Sequence, residues 1–303
     1  MQASTKLRRL LNQPKMVVAP GAIDCITARA IQRAGFDALY MTGAGTSMSL
    51  GYPDYGLITM SEMVANATRI AKSVSIPLIS DADTGYGNEL NVYRTVQEFE
   101  RAGVAGIHIE DQVFPKRCGH LDSKEVVSRE DFVAKIRAAA AAKSSDDFVI
   151  IARTDSRAVL GFQEAIDRSR LALANGADVI FFEAPQTIDE VAKIPQLIEG
   201  PCLLNVVIGG KTPQVSVQDA EAMGYRIAIF PGLLLGSIMH ACDEQLIRLK
   251  ADGVVRPSTQ TSPATTFARF DSAIWDQRRT AFRDPIDTAP ISEESALITG
   301  PAK

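Results

Sequence analysis

Eight short runs rich in Val, Ile, Leu and Phe recur along this 303-residue chain, and a helical pattern follows each one. The runs are Met16–Ala19, Ala38–Thr42, Leu78–Asp83, Ala105–Asp111, Phe148–Asp155, Val179–Glu183, Cys202–Val207 and Tyr225–Phe230. Most are almost continuously apolar, as parallel strands are when helices cover both faces of a sheet. Helical patterns fill the gaps at Ile23–Ala34, Ser61–Ser73, Glu89–Ala102, Arg129–Lys143, Phe162–Asn175, Ile188–Ile198, Ser216–Met223 and Leu233–Lys250. Gly35, Gly103, Gly176 and Gly224 each stand where a helix closes before the next strand. Glycine takes the left-handed conformation of that position without steric cost. Strand and helix alternating eight times predict a (β/α)8 TIM-type barrel over residues 1–253, a fold that needs roughly 250 residues. An open doubly wound sheet is the alternative; it favours a Gly-rich fingerprint after the first strand, which is absent.

Beyond the barrel the texture changes. Residues 256–266 are rich in Pro, Ser and Thr and read as a linker. Phe267–Arg283 then resumes an amphipathic helix that carries the only tryptophan, Trp275. Residues 254–303 are therefore predicted to be a linker and a C-terminal helical extension, whose apolar side needs a surface on its own barrel or on a neighbouring subunit.

With 32 Lys and Arg against 36 Asp and Glu, the formal net charge is −4. That balance argues against nucleic acid or an anionic membrane as partner. No apolar run reaches about 18 residues, so no membrane span is predicted. The N-terminal segment has no apolar core of a secretory signal, which points to the cytoplasm. Arg8 and Arg9 in a short amphipathic stretch make a mitochondrial presequence the alternative. Cys25, Cys118, Cys202 and Cys242 are too sparse for a disulfide scaffold and lack zinc-finger spacing.

The strands turn polar only at their last residues. The second ends in Thr42-Gly43-Ala44-Gly45, the third in Asp81-Ala82-Asp83, the fourth in Glu110-Asp111, the fifth in Arg153-Thr154-Asp155 and the sixth in Glu183; the seventh contains Asn205. Solvent exposure alone would polarise strand starts equally, yet these are Val17, Leu78, Phe148 and Cys202. In a (β/α) barrel the C-terminal strand ends build the active site. Asp81 and Asp83, two apart on a strand, share one face. With Glu110 on the next strand and Asp54 from the Gly51–Gly56 loop, they form a set of hard oxygen donors suited to Mg2+ or Mn2+. Arg153 needs a partner, either a neighbouring acid such as Asp155 or a substrate carboxylate, with the substrate preferred. His108 is expected as a hydrogen-bonded core histidine and His240 as structural.

Cys118 differs from the other cysteines because Lys116, Arg117 and His120 surround it. A cationic loop of this kind lowers a thiol pKa, and Gly119 lets the loop move as a lid. Cys118 is thus a candidate nucleophile or proton donor.

These residues resemble the isocitrate lyase/PEP mutase superfamily over about Lys15–Gly253. Lys116-Arg117-Cys118-Gly119-His120 matches its lyase signature, supported by Tyr40–Gly45, Asp81–Gly87, His108–Gln112 and Ala152–Asp155. The resemblance implies a Mg2+-dependent carbon–carbon lyase acting on a 2-hydroxy dicarboxylate, and a homotetramer whose C-terminal helices swap between barrels. It implies that Asp81 and Asp83 hold the metal, with Asp54 and Glu110 helping through water. Thr42, Gly43 and Ala44 would bind the keto-acid end, Arg153 a carboxylate, and Cys118 would donate a proton. Gly119, His120, Glu183 and Asn205 complete the candidate substrate-binding set, and Tyr40 is the candidate base. Methylisocitrate lyases carry an arginine near the position of Gly236, for the extra carboxylate of a tricarboxylate. Losing such a contact costs roughly 1.5–3 kcal/mol. Ile208 stands where relatives commonly have Glu, which predicts a more apolar pocket. Both departures point to a smaller substrate of the 2,3-dimethylmalate type; oxaloacetate hydrolysis and 2-methylisocitrate cleavage are the alternatives.

Overall fold

The computed structural model describes residues 1–121, 123–254 and 262–283. The chain divides into two compact units, Met1–Val254 and Val255–Lys303.

In the first unit α1 (Ala3–Leu11) precedes β1 (Val17–Ala22), α2 (Cys25–Arg33), β2 (Leu39–Met41), α3 (Gly43–Ser49) and α4 (Met60–Ser73). Then follow β3 (Leu78–Asp81), α5 (Glu89–Arg101), β4 (Gly106–Glu110), α6 (Arg129–Ala142), β5 (Val149–Thr154), α7 (Ser156–Leu160) and α8 (Phe162–Ala174). β6 (Val179–Phe182), α9 (Ile188–Leu197), β7 (Cys202–Asn205), α10 (Val217–Ala222), β8 (Ile227–Phe230) and α11 (Leu233–Asp252) complete it. The eight strands are parallel in sequence order, and β8 pairs back onto β1 through Val17↔Ile227 and Ala19↔Ile229, so the barrel is closed. Caps explain the helix starts: Asp24, Thr59 and Asn88 each form a reciprocal capping box. The four closing glycines have φ between 85° and 107°, the left-handed region the sequence assigned them.

Strand parity places the core. Val17, Ile79, Ile151, Phe181, Leu203 and Ile227 fill the barrel interior, with Leu7 of α1 closing its base. Arg8 of the same helix bonds the carbonyls of Asp147 and Phe148 and meets Asp178 at 2.7 Å, so this cation serves the barrel base. Outward residues such as Leu78, Ile107 and Ile150 pack under the helices. Two residues beyond the apolar layer, the same inward row becomes Asp81, Arg153, Glu183 and Asn205, all buried. The polar end of the barrel is thus a continuation of its core.

Three details differ from the sequence reading. β3 stops at Asp81, and Asp83 lies past it with φ 46°, so the shared-face argument for this pair does not hold. Two short helices, α3 and α7, follow β2 and β5 directly; at seven and five residues they are too short to give a periodic signal in the sequence. In the second unit, α12 (Pro263–Ala268) and α13 (Ser272–Ala281) replace one continuous helix over Phe267–Arg283, and Pro263 begins a helix inside the expected linker. The start of that linker and the residues after Arg283 lie outside the described residues. Trp275 is 64% exposed, with Arg278 over its ring at 4.8 Å. Among the described residues, no helix is long and apolar enough to cross a membrane.

Candidate active site

A cavity of about 120 Å3 opens at the C-terminal end of the strands. It is far smaller than the roughly 300–1,000 Å3 of pockets for drug-sized ligands, which suits a small acid. Tyr40, Thr42 and Ala44 line it from β2 and α3, Asp81 from β3, and Arg153, Glu183 and Asn205 from the next strand ends. Asp54 enters from the loop before α4, and Cys118, Gly119 and His120 enter from the loop after β4. Every one of these residues was singled out in the sequence. Gly43, Asp83 and Glu110 do not line the cavity; they lie behind it.

Gly43 has a role other than the expected contact with the keto acid. Its N–H donates to Asp81 Oδ2 at 3.2 Å, and a Cβ there would collide with that carboxylate. Asp81 Oδ1 accepts from the N–H of Asp83 at 2.9 Å. Burial opposes ionisation of Asp81, but His108, Lys116 and Arg153 outweigh it and bring the carboxyl down to about 2. Asp83 moves the other way, to about 6, because burial and the charges of Asp81 and Asp54 exceed the pull of Lys116.

Lys116 carries a function the sequence reading missed. Its ammonium lies 2.5 Å from Asp54 Oδ1 and 2.9 Å from Asp83 Oδ1. It therefore does not lend its charge to Cys118, and Arg117 stands over the Tyr55 ring. The Cys118 thiol is pushed up from its ordinary value, chiefly by burial and further by Asp54 and Glu183. This reverses the expectation of an activated thiolate. Cys118 keeps its proton at neutral pH, which fits an acid better than a nucleophile.

Arg153 is held by a protein partner, the alternative the sequence reading ranked second. Its Nε and Nη2 bond Asp155 at 2.9 and 3.2 Å, and Glu110 lies 3.3 Å away. The i+2 spacing on one strand end was the signal for that fork. Glu183 accepts from Asn205 Nδ2 at 3.3 and 3.4 Å and lies 2.9 Å from His120 Nε2. Burial opposes its ionisation, yet Arg153 and His120 bring it to about 2. His120 Nδ1 accepts the N–H of Lys211, which ties the Cys118 loop to the loop after β7. A Cβ on Gly119 would run into Arg153 and Glu183, so only glycine lets the loop seat this deeply.

Tyr40 and His108 share a hydrogen bond of 2.8 Å and stack at 5.7 Å. Burial lowers His108 to about 4, so the imidazole is neutral at pH 7. Burial, then Asp81, holds the Tyr40 phenol well above its usual value. Tyr40 therefore presents a neutral hydroxyl, which differs from the base expected of it. His108 is the hydrogen-bonded core histidine anticipated, while His240 is exposed on α11 near Glu244.

The apolar wall is formed by Phe181, Val207, Pro231 and Leu235. Ile208 is 75% exposed in the turn after β7 and does not line this cavity, where Val207 stands instead. Gly236 has open space around it and also stands off the cavity.

A divalent cation fits these donors in kind. Asp81, Asp83 and Glu110 offer buried hard oxygens, both Glu110 oxygens lack a hydrogen-bond donor, and Lys116 already stands as a cation between Asp54 and Asp83. Among the described residues, no three acidic, imidazole or thiol groups are closed around one point.

An acidic, lidded site at the strand ends of a (β/α)8 barrel defines a class of enzyme that works on small polar substrates. Residues 7–250 match the phosphoenolpyruvate phosphomutase family model, and the chain belongs to that family, as a lyase of the isocitrate lyase/PEP mutase superfamily. It is 47% identical over 272 residues to 2,3-dimethylmalate lyase of Eubacterium barkeri, covering 89% of this chain and 93% of that one. A solved structure of oxaloacetate acetylhydrolase with 3,3-difluorooxalacetate superposes with a TM-score of 0.90 at 41% identity, covering 93% and 97% of the two chains. Phosphonopyruvate hydrolase in complex with oxalate and Mg2+ superposes with a TM-score of 0.83 at 32% identity, covering 94% and 99%.

The raised thiol pKa makes a direct prediction. The rate of Cys118 alkylation by iodoacetamide, followed by mass mapping, should stay low at pH 7–8 and still be rising at pH 9, because the reactive thiolate forms only above the folded pKa. A plateau reached below pH 8 would show an activated thiolate instead.

Proposed function

We propose that this protein is a divalent-metal-dependent carbon–carbon lyase. Its substrate is a 2-hydroxy dicarboxylate of the 2,3-dimethylmalate type, cleaved to an α-keto acid such as pyruvate and a second carboxylate. The observation that carries this reading is a half-buried Cys118 thiol, its pKa raised above the ordinary value, in the same small cavity as Asp81, Arg153 and Glu183. A retro-aldol cleavage needs an acid that protonates a carbanion and does not attack a carbonyl.

Mg2+ is the metal of this reading: Asp81 and Asp83 would hold it, with Asp54 and Glu110 helping through water, and it would supply the positive charge that makes a 2-hydroxyl more acidic. Arg153 takes a substrate carboxylate while Asp155 fixes its guanidinium plane. Thr42 and Ala44 border the keto-acid end, and Tyr40 orients it as a neutral donor. The 2-hydroxyl gives its proton to a cavity-lining carboxylate, Asp81 or Glu183, as its C–O bond becomes the keto C=O. The electron pair of the broken C2–C3 bond goes to C3, and the Cys118 S–H gives its proton to that carbon. The proton held by the carboxylate then restores the thiol. His120, Gly119, Glu183 and Asn205 hold the loop closed against water until C3 is protonated. The apolar wall of Val207, Pro231 and Leu235 favours alkyl substituents, and Gly236 supplies no cation for a third carboxylate.

Oxaloacetate hydrolysis is the second reading, favoured by the superposition on oxaloacetate acetylhydrolase. A panel of malate derivatives, oxaloacetate and methylisocitrate, incubated with Mg2+ and analysed by mass, separates the two. Pyruvate and propionate from 2,3-dimethylmalate are expected; oxalate from oxaloacetate as the main product would install the second reading. Cys118→Ser should lower lyase turnover at least 100-fold in a folded protein. Retained turnover would remove Cys118 from the mechanism.

We also propose a homotetramer with exchanged C-terminal helices. No residue of the 20-residue α11 is buried, and Met239, Leu246 and Ile247 on it are exposed, as is Trp275 on α13. Light scattering should give four times the chain mass; a monomer would contradict the proposal.

A further inference from the structure

We infer that Lys124 is a positioning residue that seats the Cys118 loop, by joining the Gly119 carbonyl to the carboxylate that orients Arg153. This rests on the lyase reading only where turnover is concerned; the seating itself is a property of the fold.

The loop leaves β4 and returns toward α6 over a short antiparallel stem. Gln112 bridges Val126, Val113 N–H donates to the Glu125 carbonyl at 2.9 Å, and Val127 N–H to the Asp111 carbonyl at 2.9 Å. Two contacts hold the outgoing limb. Lys116 reaches Asp54 and Asp83, and the Gln112 amide grips the Arg117 backbone by its carbonyl and its N–H, at 2.9 and 3.0 Å. Those contacts stop short of the thiol. Beyond it the Cys118 carbonyl accepts a local turn bond from Leu121 N–H at 2.9 Å, and the His120 side chain reaches Glu183 and the Lys211 N–H.

Lys124 holds the segment that follows the thiol. It sits on the returning limb with its side chain 1% exposed. A buried ammonium costs several kcal/mol unless it is paired. Lys124 Nζ donates to the Gly119 carbonyl and lies 3.5 Å from Asp155 Oδ1. Asp155 is itself fixed to the scaffold, since its N–H donates to Asp111 Oδ1 at 2.8 Å. Asp111 also accepts from the Thr154 hydroxyl at 2.7 Å and pairs with Arg168 at 3.1 Å. Besides the Glu183–His120 contact, a backbone-directed path from barrel to thiol therefore runs through Arg168, Asp111, Asp155, Lys124 and Gly119. Asp155 faces two cations, Arg153 and Lys124, so the carboxylate that aims the substrate-binding guanidinium also anchors the lid.

The chemistry explains why a lysine serves here. A neutral amide such as glutamine, one atom shorter, would give the Gly119 carbonyl a weaker donor at best and leave Asp155 with one cation, so the link between them would be lost. An apolar residue would leave the carbonyl buried without a donor, at a cost of roughly 1–3 kcal/mol, and the closed loop would give way.

Lys124→Met and Lys124→Arg test this in the full-length protein with Mg2+ present, with folding checked by circular dichroism. Lys124→Met should raise the rate of iodoacetamide alkylation at Cys118 at least ten-fold, read by mass mapping of the Cys118 peptide. It should also lower kcat at least ten-fold with KM changed less than three-fold, and Lys124→Arg should recover most of both. If Lys124→Met does not fold, Lys124→Gln is read by hydrogen exchange of residues 116–121, which should speed up at least ten-fold. Unchanged alkylation in a folded Lys124→Met, or unchanged exchange in Lys124→Gln, would overturn the assignment. The thiol arm reads the loop alone, so an absence of lyase turnover in the unaltered protein would sink the proposed reaction and leave this test standing.

Discussion

Too much negative charge is buried at one end of the barrel. Asp54, Asp81, Asp83, Glu110, Asp155 and Glu183 gather there, against the cations Lys116, Lys124 and Arg153. Burial pushes Asp83 and Glu110 up, and neighbouring carboxylates push them further, while at Asp81 and Glu183 the nearby cations and hydrogen bonds outweigh burial and hold the carboxyls down. Two of the three cations belong to the loop that carries Cys118. Seating that loop and neutralising the site are consequently one event. A lifted loop would leave acids unpaired, and a closed one brings the thiol to the cavity.

That coupling accounts for the character of the thiol. The charges of Lys116 and Arg117 face carboxylates and an aromatic ring, and at the sulfur burial, with Asp54 and Glu183, outweighs the opposing pull of the His120 N–H and Arg153. A thiol that keeps its proton follows, on the wall of the cavity. The neutral state of Tyr40 and His108 has the same origin: both lie deep in the strand-end layer, where ionisation of either is disfavoured by burial before any neighbour acts.

Much of this was legible in the sequence, for a geometric reason. A parallel strand with an apolar interior row that turns polar two residues later announces a barrel mouth, and Asp81, Arg153, Glu183 and Asn205 were read that way. The lyase-type loop was legible because five adjacent residues matched a specific motif. What failed depended on where side chains turn after the strand ends. Asp83 passes through a left-handed conformation that no periodicity reports. Lys116 and Arg117 sit beside Cys118 in sequence but point to other partners, so a rule about neighbouring charge gave the wrong direction for its pKa. Ile208 differs from Val207 by one position, enough to place it in solvent. Gly43 supports Asp81 because of a close approach that only three-dimensional packing creates.

The central claim is that the surplus of buried carboxylates is a place for a divalent cation with Asp81 at its centre. Calorimetric titration of Mg2+ into the protein and into Asp81→Asn tests it most directly. One Mg2+ per chain in the unaltered protein, with affinity reduced at least ten-fold in Asp81→Asn, is the result this account predicts. Equal affinity in the two proteins, or no binding by either, would contradict it.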